Sequence, residues 1–123
     1  MYSLNNEAWK DYDFGTELTL SKSGNHVMFK TIEDIGAFSS NKSRYSFSMT
    51  GQISASGNVM WLVDPTGKSK TIPCENCFEY LFNDCSALTH APQLPATTIA
   101  DYCYDGMFFG CTSLSTAPEL PAT

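Results

Sequence analysis

Polar and apolar residues alternate at period two through the first half of the chain, and from Ser69 onward the pattern changes to one that fits a helix. Thr16-Glu17-Leu18-Thr19-Leu20-Ser21 alternates, Ser23-Gly24-Asn25 supplies turn residues, and His26-Val27-Met28-Phe29-Lys30 resumes, which predicts a hairpin. Arg44 to Thr50 and Gly51 to Ser56 read as further strands. Val59 to Val63 is apolar throughout and predicts a strand buried on both faces. Asp64-Pro65-Thr66-Gly67-Lys68 is a turn and sets the expected boundary between a β-rich unit, residues 1–68, and a second unit, residues 69–123.

In the second unit Cys77, Phe78, Leu81, Phe82 and Cys85 fall at i, i+1, i+4, i+5 and i+8, one contiguous apolar ridge if the segment is helical. The ridge returns as Cys103, Tyr104, Met107, Phe108 and Cys111. Thr97 or Thr98 is a candidate N-cap for that second helix, Asp101 lies in its first turn and Gly110 suits its end. After each ridge comes a short stretch, Ala87 to Ala91 and Ser113 to Ala117, predicted to be extended. Each runs into Ala-Pro-x-Leu-Pro-Ala-Thr, where two prolines hold the backbone extended.

These segments are two copies of one unit. Leu81 to Thr97 aligns with Met107 to Thr123, Cys85 over Cys111, at a period of 26 residues. Nine of the 17 aligned positions are identical, where average residue usage predicts about one. A period of this length predicts a solenoid, in which each unit covers the apolar face of its neighbour. The expected fold class is therefore α+β: an N-terminal antiparallel β module capping a short solenoid of helix/strand repeats. The expected core of the repeats is Cys77, Leu81, Phe82, Cys85 and Leu88 in the first copy, and Cys103, Met107, Phe108, Cys111 and Leu114 in the second.

The phrases Phe109-Gly110-Cys111-Thr112-Ser113-Leu114, Ala117-Pro118-Glu119-Leu120-Pro121-Ala122 and Ile99-Ala100-Asp101-Tyr102-Cys103-Tyr104 resemble the irregular leucine-rich repeats called BspA-like, found in surface proteins of anaerobic gut and oral bacteria. The first copy departs from them, with Asn83-Asp84 in place of Phe-Gly and one extra residue around Cys74. Upstream, Tyr2 to Trp9 and Ser56 to Met60 resemble the β module that precedes such repeats, with Asn6-Glu7 where that module usually has Asp-Gly. The resemblance implies an extracellular adhesion or recognition role, with a protein or glycan as ligand and no catalytic residues, cofactor or metal. About three units are needed for a stable solenoid, and after Thr123 the stretch Ser113 to Ala117 and the ridge under Phe108 would lack a neighbour, so the two units are expected either to be a fragment of a longer array or to self-associate through the open C-terminal repeat end. The second case defines the rival class, a structural part of an assembly such as a fibre or decoration component of a virion or surface appendage.

Composition narrows the partners. With 7 basic and 13 acidic residues the net charge is −6, and no basic cluster could neutralise a nucleic-acid backbone. No apolar run approaches the roughly 18 to 20 residues of a membrane span, so direct membrane insertion is not expected. Met1 to Lys10 lacks the basic start and apolar centre of an export signal, which an extracellular placement would put outside these residues.

Five cysteines offer the one candidate chemistry. Cys74-x-x-Cys77 with Cys85 could hold zinc or form a redox pair, and Cys74 could enter a disulfide. The repeat favours buried free thiols, because Cys77 and Cys103 share one repeat position and Cys85 and Cys111 another. The histidines, His26 and His90, lie in no nucleophile-base spacing. The carboxylates Asp11, Asp13, Glu17, Glu33 and Asp34 are scattered and read as solvated charge. An enzyme acting through Cys74 and Cys77 is the remote alternative. If the repeat strands bind a partner through their outward side chains, the candidate face is Thr89, His90, Ser115 and Thr116.

Overall fold

The computed structural model describes residues 1–36, 38–39 and 44–122. Four short strands and one 3-10 turn are its regular elements: β1 (Tyr2–Leu4), β2 (Val27–Phe29), β3 (Ile53–Ser54), the 3-10 turn Val59–Leu62 and β4 (Leu88–His90). Among the described residues there is no α-helix, so the expected α+β solenoid of helix/strand repeats is not the fold of this chain.

β1 and β2 pair antiparallel with Tyr2 opposite Phe29, Ser3 opposite Met28 and Leu4 opposite Val27. The predicted hairpin between residues 16–21 and 26–30 is thus replaced by a longer-range pair. The local reason is Asn5-Asn6. Both residues take positive φ, +50° and +63°, and Glu7 donates back to the Leu4 carbonyl at 2.9 Å, a tight turn of the kind that asparagine tolerates. β1 thus takes the edge of β2 that residues 16–21 were expected to fill, and Tyr2 exchanges backbone hydrogen bonds with Lys10 on the other edge of β1. Val59 to Val63 is not a strand either. The Asn58 side chain accepts from the Met60 N–H and starts a 3-10 turn that buries Val59, Met60 and Val63 and leaves Trp61 part-exposed.

The ridges at 77–85 and 103–111 are ribbons of consecutive β-turns. In the first, the N–H groups of Glu79, Leu81, Asn83 and Cys85 each donate three residues back, to Asn76, Phe78, Tyr80 and Phe82. Every fourth residue, Asn76, Tyr80 and Asp84, has φ near +57°. The second copy repeats this with Tyr102, Gly106 and Gly110 at positive φ and Cys103, Asp105, Met107, Phe109 and Cys111 donating three residues back. A left-handed residue in every fourth place breaks the i to i−4 ladder that a helix requires.

The turns use only alternate N–H groups, and the others point sideways. Asn76, Phe78, Tyr80, Phe82 and Asp84 donate to the carbonyls of Asp101, Cys103, Asp105, Met107 and Phe109 at 2.7 to 2.9 Å, which binds the two copies together in parallel. A third course of chain continues the order on the far side of the first copy. Phe47 donates to the Leu81 carbonyl, and β3 pairs in parallel with β4, Ile53 beside Leu88. Asn58 bridges to Gln93 in the same sense.

Side chains follow the backbone register. Phe47, Phe82 and Phe108 stack in a column with centroids 5.1 and 5.7 Å apart, and Phe78 stacks on Tyr104 at 6.2 Å with Phe38 on its other side. Such pairs add about 0.5 to 1.5 kcal/mol each beyond burial. One continuous core joins Val59, Met60 and Val63 to Ile72, Cys77, Phe78, Leu81, Phe82, Cys85 and Leu88, so packing runs unbroken across residue 68.

Candidate functional site

The thiols lie where the ladder places them. All five cysteines are free, Cys77, Cys85, Cys103 and Cys111 are buried, and Cys74 is half-buried. Cys85 donates its S–H to the Phe47 carbonyl at 3.1 Å, and Cys111 donates to the Phe82 carbonyl at 3.0 Å. Each therefore reaches one course back, a regularity that makes these side chains ties between courses. Burial pushes the Cys77 thiol well above its ordinary range and the Cys85 thiol up to about 11. Burial also raises Cys103 and Cys111. A nucleophilic cysteine needs the opposite shift. Among the described residues no group of three His, Cys, Asp or Glu is arranged to hold a metal.

One ion pair fastens the N-terminal part to the first ribbon. Arg44 grips the buried Glu79 carboxylate through Nε at 2.9 Å and Nη2 at 3.0 Å, and the Asn76 amide donates to the same group at 2.6 Å. The Arg44 hydrogen bond holds the Glu79 carboxyl below the usual carboxylate range. Asp64 is held down in the same way by hydrogen bonds from Thr66, Ser69 and Lys68, which close the turn expected at 64–68.

Thr89 is half-buried and donates to the Ile53 carbonyl at 3.2 Å; His90, Ser115 and Thr116 are exposed. The ring nitrogen Nδ1 of His90 lies 3.1 Å from the Thr89 hydroxyl. Of the expected repeat core, Cys77, Leu81, Phe82, Cys85, Leu88, Cys103, Met107 and Cys111 are buried, while Phe108 and Leu114 are half-buried.

The distinctive surface is elsewhere, on the outer flank of the second copy. Equivalent positions of the two copies differ sharply there: Ile72 is 5% exposed but Ile99 53%, and Leu94 is 3% exposed but Leu120 59%. Tyr102 and Phe109 are exposed as well. A shallow apolar groove of about 200 Å³ runs between Leu94, Tyr104, Met107, Phe108, Pro118 and Leu120. The backbone is open on the same side. Tyr102, Tyr104, Gly106, Phe108 and Gly110 occupy the positions whose counterparts in the first copy donate across the ladder, and their own N–H groups find no acceptor among the described residues. Among the described residues the Tyr104 hydroxyl is buried without a partner, and its burial pushes the phenol up to about 12.

The sequence places the uncovered end of the repeats here, at Ser113 to Ala117 and under Phe108, but does not single out Ile99 or Leu120. The signal was present in the repeat itself, since Leu120 and Leu94 are the same position of one unit and only one of them has a neighbour to cover it. No protein-family model, curated protein or solved structure matches this chain.

Proposed function

We propose that the protein is a non-enzymatic recognition or adhesion module of an extracellular surface, which binds a protein or glycan through the open flank of its second copy. The supporting observation is the contrast between equivalent positions: side chains that are core in the first copy, Ile72 and Leu94, recur as exposed Ile99 and Leu120. Exposed apolar side chains at positions that an equivalent unit uses as core are a mark of an interaction surface. The likeness of residues 77 to 123 to BspA-like surface repeats points the same way. A structural role in an assembly would draw on the same flank, but two such flanks set face to face would oppose donor to donor.

Adhesion is tested on immobilised mucin, fibronectin and collagen and on a glycan array, with the wild-type chain, a Phe109→Glu/Leu120→Glu variant and a Ser23→Glu control. Retention on at least one surface, lost in the double variant and kept in the control, is expected. Absence of retention on all of them, or retention indifferent to the flank, contradicts the reading.

A further inference from the structure

We propose that Cys74 and Cys77 form a thiol-disulfide site, oxidised to an intramolecular bond by small-molecule disulfides of the glutathione or cystine class. The inference goes beyond the recognition reading and does not depend on it.

Cys74 stands apart from the other four cysteines. Those repeat at 26-residue spacing, whereas no cysteine corresponds to Cys74 in the second copy. It lies where the register between the copies shifts. Ile72 donates to the Thr98 carbonyl and Asn76 to the Asp101 carbonyl, so four steps of the first copy run beside three of the second. A surplus residue of this kind makes a bulge and re-aims the side chains in it. Here Cys74 packs against the core, and its side chain hydrogen-bonds the Cys77 thiol. Glu75 and Asn76 turn the chain between the two cysteines. A four-residue turn holds its end Cα atoms within about 7 Å, inside the range that a disulfide requires.

The remaining thiols are placed differently. Cys85 and Cys111 are committed to the carbonyls of Phe47 and Phe82, one course back. Cys103 lies beside Cys77 in the ladder, where Phe78 donates to its carbonyl, and is buried. Cys74 is half-buried and is the thiol that a reagent in solution can meet.

The exchange runs in two steps. The Cys74 thiolate attacks one sulfur of the small disulfide, the bond between its two sulfurs breaks, and the released thiolate takes up the proton that Cys74 lost. Cys77 then gives up its proton, and its sulfur attacks Cys74 in the mixed disulfide. The second small thiolate leaves and takes up that proton. Two protein thiols are oxidised and one small disulfide is reduced to two thiols. Burial holds Cys77 neutral, so the second step is the slow one.

The test uses the full chain, reduced and then held in glutathione disulfide at mildly alkaline pH. Samples are quenched in acid, alkylated under denaturing conditions, cleaved after glutamate and weighed by mass spectrometry. A glutathione adduct on Cys74 should appear first and give way to a Cys74–Cys77 bond, seen as two peptides cut apart at Glu75 that separate only on reduction. Cys85, Cys103 and Cys111 should remain alkylatable thiols throughout. Cys74→Ser should slow oxidation of the native chain at least about tenfold, and Cys77→Ser should stop at the adduct. If the buried Cys77→Ser variant fails to fold, Cys74→Ser and the bond mapped in the wild-type chain decide the outcome. A native chain that keeps all five thiols free, an adduct on Cys74 that never closes, or a bond joining any other pair overturns the inference.

Discussion

Six residues set the shape of the two ribbons through one backbone angle: Asn76, Tyr80 and Asp84, then Tyr102, Gly106 and Gly110, all at positive φ. Glycine and the short polar residues hold that angle cheaply, and the two tyrosines hold it because the turns on both sides are fixed. A Cβ added at Gly106 would also run into the Tyr80 ring. Gly106→Ala should therefore cost about 1 to 3 kcal/mol in chemical denaturation, and a neutral result would mean that the ribbon has another conformation. At the cysteines, a thiol-alkylating reagent should label Cys74 first in the native protein and the other four only on unfolding, because Cys74 alone is half-buried. Rapid labelling of all five would contradict the burial. The raised thiols carry a pH dependence whose sign is fixed. A thiol held neutral in the folded state, about 11 for Cys85, loses its proton first in the unfolded chain, so stability should decline as pH rises above about 8.5.

At the scale of elements, the pairs of equivalent positions separate what burial contributes from what residue type contributes. Leu94→Ala should lower stability by about 2 to 5 kcal/mol, as at a buried leucine, and Leu120→Ala by less than about 0.5 kcal/mol. Equal losses would mean that the outer flank is covered. The tie between the N-terminal part and the first ribbon is read by acid. Glu79 and Asp64 both have depressed carboxyls, so the stability they contribute is present near neutrality and is lost as pH falls below about 4. A urea midpoint that is flat between pH 6 and pH 3 would contradict the pairing of Arg44 with Glu79. Much of this element-level order was legible in the chain, and one part was misleading for a physical reason. Apolar residues at i, i+1, i+4, i+5 and i+8 suit a helix over two turns, but their period is four, not 3.6. Turn formers fall on the same grid, Gly106 and Gly110 four apart in one copy and Asn76 and Asp84 twice that in the other. That second periodicity distinguishes a ribbon of turns from a helix. The pairing of β1 with β2 was less accessible, because it joins segments far apart in the chain and has no local turn signal between them, the positive-φ pair Asn5-Asn6 turning the chain toward Lys10 instead.

For the whole molecule, three parallel courses of chain share one core, and the order ends in a flank whose donors and apolar side chains match those satisfied one course earlier. The identities at 26-residue spacing made the copies visible in the sequence. Which flank of the second copy carries the unpaired N–H groups among the described residues depends on the direction of the ladder, a backbone property with no residue signature. Amide hydrogen exchange on the full chain tests this arrangement most directly. Residues 78 to 85 should be protected without interruption, because both the turn donors and the ladder donors are bonded, whereas residues 102 to 111 should alternate, with Cys103, Asp105, Met107, Phe109 and Cys111 slower than Tyr102, Tyr104, Gly106, Phe108 and Gly110. Uniform protection through both segments, as in a pair of helices, would contradict the fold and the open flank together.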